Sequence, residues 1–162
     1  VARRGVPADA RTLDGTTALH LAAWRGHVAV ARWLVECGGA SVGAVNDFGC
    51  NAIQWAAQTG DLAMCRWLLG AGLDVALPNV NGHNALHKAA IKNRSALCAW
   101  LLAPARAPSG GEADGGGLGL AELRAADDDG NTPAGMARSH GFDELAAWLA
   151  RRECELGGVQ DE

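Results

Sequence analysis

Tyrosine is absent from the 162 residues, phenylalanine and methionine occur only twice each, and no apolar run approaches the ~18 residues that a membrane helix needs. No direct membrane span is therefore expected. Basic residues (14) are outnumbered by acidic ones (18), for a formal charge of -4. The sequence thus lacks the basic stripe with which nucleic-acid binders neutralise phosphates, and no nucleic-acid partner is expected. The five cysteines (37, 50, 65, 98 and 154) are odd in number and show no C-x-x-C spacing. That pattern points to free thiols in an intracellular reducing compartment rather than to a secreted disulfide framework. The first residues, Val1 to Pro7, carry no apolar core of a secretory signal, and with no initiator Met a processed, truncated or partly recorded start is expected.

What the chain does have is 49% apolar residues by a count that includes alanine, 22 glycines, and six tryptophans among its few aromatics. Its length suits one domain of ordinary size. The glycines at 15, 49, 82 and 130 act as a ruler. Two residues after them stand Thr17, Asn51, Asn84 and Thr132; eleven after them stand Gly26, Gly60, Asn93 and Gly141. Eighteen after them stand Trp33, Trp67, Trp100 and Trp148, each followed by Leu. The chain is a four-unit repeat.

Each offset has a physical meaning. Thr and Asn cap helix N-termini by accepting from free N–H groups of the first turn. Pro133 sits at the first helical position, where its missing N–H is not needed. Gly and Asn tolerate the left-handed backbone that stops a helix, so a short helix of about two turns runs from cap to stop. In the second unit Leu62, Cys65, Leu68 and Leu69 share a face of a second helix, widened by Trp67. Gly38 and Gly72 are expected to end this helix in the first two units and Pro104 in the third. The last helix runs from about Phe142 toward Leu156, its charge suits a terminal cap, and Gly157-Gly158 end it. The unit reads as turn, helix, turn, helix, and the four tryptophans read as a core column beside one another.

The segment Gly15-Thr16-Thr17-Ala18-Leu19-His20-Leu21-Ala22-Ala23-Trp24-Arg25-Gly26-His27 resembles the G-x-T-P-L-H-L-A-A-x-x-G-H signature of the ankyrin repeat. Asn84-Ala85-Leu86-His87-Lys88-Ala89-Ala90 is similar. The second unit has Gln54 where His is usual, and the fourth keeps Thr132-Pro133 but loses the Leu-His. The resemblance implies an all-α ankyrin-repeat solenoid of stacked helix-turn-helix units with short turn fingers. It covers residues 12–155, with repeats at about 12–45, 46–78, 79–103 and 127–155, between an N-terminal segment 1–11 and a tail 156–162. The ruler interval from 82 to 130 is longer than the ~33-residue period. The excess falls in the Pro/Gly/Ala-rich run 104–119, read as a flexible insertion acting as a spacer. Each unit buries its apolar faces only against neighbours. The first unit has no cover ahead of it, so either a missing upstream segment or another protein is expected there.

Chemical motifs fare poorly. His83 and His87 have the spacing of a helical zinc pair, but His83 precedes the cap Asn84, and two ligands do not close a site. The resemblance instead implies that His20 and His87 bond neighbouring backbone. Cys65 and Cys98, one repeat apart, read as small core residues. Asp127-Asp128-Asp129-Gly130-Asn131 lacks the acid at 125 and the Glu at 136 that a calcium loop requires. No Walker lysine and no G-x-S-x-G serine occur. We therefore expect no enzyme, no catalytic residues, no metal and no cofactor.

The resemblance implies a partner surface on the finger tips and the concave side of the first helices. In the first unit it comprises Leu13, Asp14, Thr16, Trp24 and Arg25; in the second Asp47, Phe48, Cys50, Gln58 and Thr59. The third supplies Val80, Asn81, His83, Ile91 and Lys92, and the fourth Asp128, Asp129, Asn131, Ser139 and His140. Trp24, Phe48 and Ile91 stand out as large apolar groups on this surface, and Trp24 and Phe48 are expected to anchor a partner with Arg25, Asp47 and Asp14 as polar flanks. The expected partner is another protein, bound by a structural or scaffolding subunit of a larger assembly. The alternative is a regulatory or inhibitory adaptor that binds an enzyme reversibly.

Overall fold

A computed structural model describes residues 5–105 and 115–158. The units appear as hairpins in chain order: α1 (Ala18–Trp24) with α2 (Val28–Glu36), α3 (Ala52–Thr59) with α4 (Leu62–Gly70), and α5 (Ala85–Ile91) with α6 (Ser95–Leu101). A short α7 (Leu120–Arg124) intervenes before the last hairpin, α8 (Pro133–Ser139) with α9 (Asp143–Gly157). The first helix of each hairpin packs on the first helix of the next, α1 on α3, α3 on α5 and α5 on α8. This is the all-α solenoid that the sequence implied.

The caps and stops stand where the ruler put them. The side chains of Asn51, Asn84 and Thr132 accept from N–H groups three residues on, and Thr17 donates its own N–H to His20 Nδ1 at 3.1 Å. Gly26, Gly60 and Gly141 have φ of 70°, 81° and 80°, and Asn93 is left-handed at 54°. The second helix ends differently from expectation in the first unit: Gly39, not Gly38, takes the positive φ, of 73°.

Burial corrects the tryptophan column. Trp33 is 59% exposed whereas Trp100 is 5% exposed, and Trp67 and Trp148 lie between. The recurring core residue is the leucine beside each tryptophan, Leu34, Leu68, Leu101 and Leu149, all buried. A column of small residues, Ala31, Cys65, Cys98 and Ala146, lets the hairpins approach closely. Burial pushes the Cys65 and Cys98 thiols up to about 12, so both stay protonated packing groups.

The insertion is also corrected in part. Its stretch 106–114 lies outside the described residues, but the run does not act as a spacer to its end. Gly116 N–H donates to Trp100 C=O at 2.7 Å, and Leu118 N–H to Leu101 C=O at 2.9 Å. In the second unit Leu73 N–H makes the equivalent bond to Leu68 C=O at 3.1 Å. The chain therefore leaves the repeat after α6 and re-enters it in register at Leu118, which is buried. A Cβ on Gly116 would lie 2.7 Å from Leu101 Cα, so the re-entry point requires glycine. The helix α7 that follows was not anticipated. It packs on α9, helped by Arg124 Nε donating to Glu153 Oε1 at 2.9 Å.

Polar side chains bind one hairpin to the next. His20 accepts from Thr17 at Nδ1 and donates from Nε2 to the Cys50 carbonyl at 2.9 Å. Gln54 replaces the imidazole in the second unit and donates from Nε2 to Leu77 C=O at 2.7 Å. His87 Nε2 faces Asn131 C=O at 3.3 Å. Desolvation lowers the pKa of His20, and it lowers that of His87 to about 4. The unfolded chain then binds protons more readily, so stability is complete above about pH 6.5 and falls as pH drops toward 4. The His87 contribution is on the order of 3 kcal/mol across that window. Since Gln54 already supplies an Nε2 donor from the same position, His87→Gln should keep the fold at pH 7 and lose less stability at pH 4.5 than the parent. Urea denaturation at the two pH values checks this; equal acid sensitivity in both proteins refutes it.

Candidate partner-binding face

The fingers begin from a column that the sequence reading did not single out: Thr12, Asn46, Asn79 and Asp127, three residues before each ruler glycine. Asn46 Oδ1 accepts from the N–H groups of Phe48 and Cys50, at 3.1 and 2.9 Å. Asn79 Oδ1 does the same for Asn81 and His83, at 3.1 and 2.9 Å. Asp127 Oδ1 accepts from Asp129 and Asn131, at 3.1 and 2.7 Å. These side chains fold the tip into a tight turn by standing in for backbone carbonyls. The ruler glycine then reverses the chain with φ between 70° and 83°. On Gly15 a Cβ would also meet Asp47 Oδ1 at 2.6 Å, because the next finger lies against it.

Adjacent fingers are joined by single backbone bonds. Asp47 N–H donates to Asp14 C=O at 3.0 Å, Val80 N–H to Phe48 C=O at 3.0 Å, and Asp128 N–H to Asn81 C=O at 3.2 Å. Side chains add braces: Asn79 Nδ2 donates to Cys50 Sγ at 3.4 Å, and His83 Nε2 lies 3.0 Å from Asp127 Oδ2. Burial alone would raise the Asp127 carboxyl, but donors from Asn131, His83 and Asp129 outweigh it and hold the group below its ordinary value. His83 also stacks on His87, ring centres 5.5 Å apart, although one precedes the helix and the other lies within it. The acidic turn at 127–131 is thus a finger root. Among the described residues no three His, Cys, Asp or Glu side chains gather as metal ligands.

The tips carry large exposed apolar groups. Leu13 is fully exposed, and Phe48 and Val80 are more than half exposed. Asp14, Asp47, Asp128 and Asp129 also stand on the fingers. The Thr12 hydroxyl, donating to Asp14 Oδ1, holds the Asp14 carboxyl below the usual carboxylate range. On the first helices Trp24 is exposed and meets Trp55 edge-on, with ring centres 5.9 Å apart at 76°. Arg25 places its guanidinium 5.0 Å from the centre of the Trp24 ring. Trp55 also lies 5.9 Å from the His20 ring, so the aromatic pair rests on the polar bridge between the first two units.

The expected contact residues separate into three groups. Leu13, Trp24, Arg25, Asp47, Phe48, Asn81 and Lys92 are exposed, as are Val80, Asp128, Asp129, Ser139 and His140. Asp14, Gln58, Thr59, His83, Ile91 and Asn131 are half-buried. Thr16 and Cys50 are buried and are withdrawn from the contact surface, because both lie under the finger roots. Trp55 was missed; it occupies the register of Leu21, Lys88 and Met136, six residues after each ruler glycine, and carries no tryptophan counterpart to mark it.

Truncating the two indoles separates support from surface. Trp55→Ala should cost about 2 kcal/mol, since a half-buried ring between units is lost, while Trp24→Ala should cost less than ~1 kcal/mol. Chemical denaturation of both variants tests the ranking; a reversed order would mean that Trp24 is the supporting ring.

The family model described as ankyrin repeats (3 copies) matches residues 38–112. A second model, of the single ankyrin repeat, matches residues 14–47. No curated protein matches the chain.

Proposed function

The chain is an ankyrin-repeat protein, and we propose that it serves as a fixed structural or scaffolding subunit, bound to another protein through its fingers and concave side. Ankyrin repeats are in general protein–protein interaction modules without catalysis of their own. The observation that carries the reading is the row of apolar tips, Leu13, Phe48 and Val80, on three successive fingers tied together by backbone bonds. Fingers so fixed lose little conformational freedom on binding, and less ordering cost stands against the contact. The Trp24–Arg25 pair supplies the residue types that dominate binding energy, an aromatic ring and a guanidinium. Aspartates on the tips and Arg25 and Lys92 on the helices add charge of both signs, which orients a partner. The extent of exposed apolar surface favours a permanent interface over a reversible one, since obligate interfaces are the more apolar class.

The experiment is a pull-down from the native source with three proteins: the parent, the pair Trp24→Ala and Phe48→Ala, and Arg66→Glu on the exposed side of α4 as a control. The parent and the control should capture the same protein, and the pair should lose at least about tenfold in capture. Full capture by the pair places the contact elsewhere and ends this reading.

A further inference from the structure

The first helices present one open side. In the first three units the residues four, five, seven and eight after the ruler glycine are buried, whereas those six, nine and ten after it are exposed or half-buried. The chain as a whole is acidic, with a net charge of -4. The open side departs from that balance: in all four units those three positions hold no Asp or Glu, but they do hold Arg25, Lys88, Lys92 and His140. Among the described residues, none of Arg25, Lys88 and Lys92 is paired with a carboxylate.

The open side is also sorted along the stack. Leu21, Trp24 and Trp55 make its first half apolar, and in the third unit Lys88 takes the register of Leu21 and Trp55. Lys92 stands one turn further along α5, on the same face. Lys88 is held from behind. His83 Nε2 lies 3.0 Å from Asp127 Oδ2, and a carboxylate only accepts, so Nε2 carries the proton. His83 Nδ1 is then left to accept from Lys88 Nζ, 3.4 Å away. The Asp127 charge is engaged by the imidazole, and the half-buried Lys88 ammonium keeps its remaining donors for a group outside the fold.

We propose that this side binds an extended, acidic segment of the partner protein, with an aromatic or aliphatic side chain on the Trp24–Trp55 pair and carboxylates on Lys88 and Lys92. This rests on the reading above that the chain binds a protein, and it adds the chemistry of the bound segment. Charge complementarity identifies the occupant: unpaired cations concentrated on one side of an acidic protein call for carboxylates. The helix spacing sets the pattern. Successive first helices lie about 10 Å apart, and an extended chain advances about 3.3 Å per residue. A carboxylate on Lys88 therefore falls about three residues from an apolar group over Trp55. One on Lys92 falls about six residues from a group over Trp24. Nucleic acid fits less well. Asp47, Asp128 and Asp129 stand exposed on the neighbouring fingers and would repel a strand charged at every nucleotide. A peptide carries acids only where the lysines meet them.

The test is selection from a displayed library of random peptides about twelve residues long, enough to cross two units. It is run on the full chain, on Lys92→Glu, and on Lys88→Glu combined with Lys92→Glu. The parent should enrich peptides that carry Phe, Leu or Trp with two or more Asp or Glu about three to six residues away. Binding of those peptides should weaken several-fold in Lys92→Glu and at least about tenfold in the double variant, and should fall as salt is raised. The double variant should enrich Lys- and Arg-bearing peptides instead, an inversion that misfolding does not produce. Lys92 is exposed, so its single variant carries the test if the double one fails to fold. Enrichment without acids overturns the proposal, as do acidic peptides bound equally well by Lys92→Glu and the parent. Tighter binding of an oligothymidylate than of the selected peptides would assign the lysines to phosphate and overturn it too. The pull-down from the native source separates the two readings. Capture lost by the Trp24→Ala and Phe48→Ala pair but kept by Lys92→Glu overturns the acidic segment alone; capture kept by both ends the partner surface as well.

Discussion

Every hairpin in this chain is finished by the one beside it. The bond from His20 or His87 to a carbonyl of the following unit, and from Gln54 to the segment that leads into it, is the clearest expression of that dependence. A donor fixed in the first turn of one helix pair satisfies backbone in the next, where water is excluded and an unmade bond would cost about 1–3 kcal/mol. The requirement that the two imidazoles stay neutral, the spacing of the fingers and the seat of Trp55 against His20 all follow from it. The leucine and small-residue columns supply the buried apolar surface. The polar bridges and the finger-to-finger backbone bonds add directional contacts that join successive units.

What could be read in the sequence divides along a physical line. Caps, helix stops and tight turns are local chemistry, so Asn51, Asn84, Thr132, Gly60 and Asn93 declared themselves by residue type and interval. Cover is not local. Trp33 and Trp100 hold the same place in their units and could not be told apart by spacing, because their exposure is set by what lies alongside. Thr16 was mistaken for surface for the same reason: it stands at a tip position by count, but the finger root folds over it. The end of the insertion escaped because its glycines look like linker. The bonds from Gly116 to Trp100 and from Leu118 to Leu101 show that they let the backbone pass close to α6. Trp55 carried no repeating signal, and its importance arises from a neighbour, Trp24, thirty-one positions away.

The exposed face combines stiffness with mixed character. Its apolar tips are spaced by backbone hydrogen bonds rather than by side-chain packing, so a substitution at a tip changes what is displayed and leaves the spacing intact. The aromatic pair behaves differently. Trp24 is presented while Trp55 supports it, and Arg25 lies over the presented ring, which keeps a charge and an apolar plane together in one place. Shape is thereby carried by the finger roots and the bridges, and chemistry by the residues between them.

The detour between α6 and α7 has a consequence for how this architecture can change. The chain departs after Ala103 and is recaptured at Gly116 and Leu118 on the carbonyls that a regular unit would use. Departure and return share one anchorage, so residues added to or removed from the excursion leave the pitch of the stack untouched. The stack thus keeps one doorway through which new sequence can enter without disturbing the rows on either side.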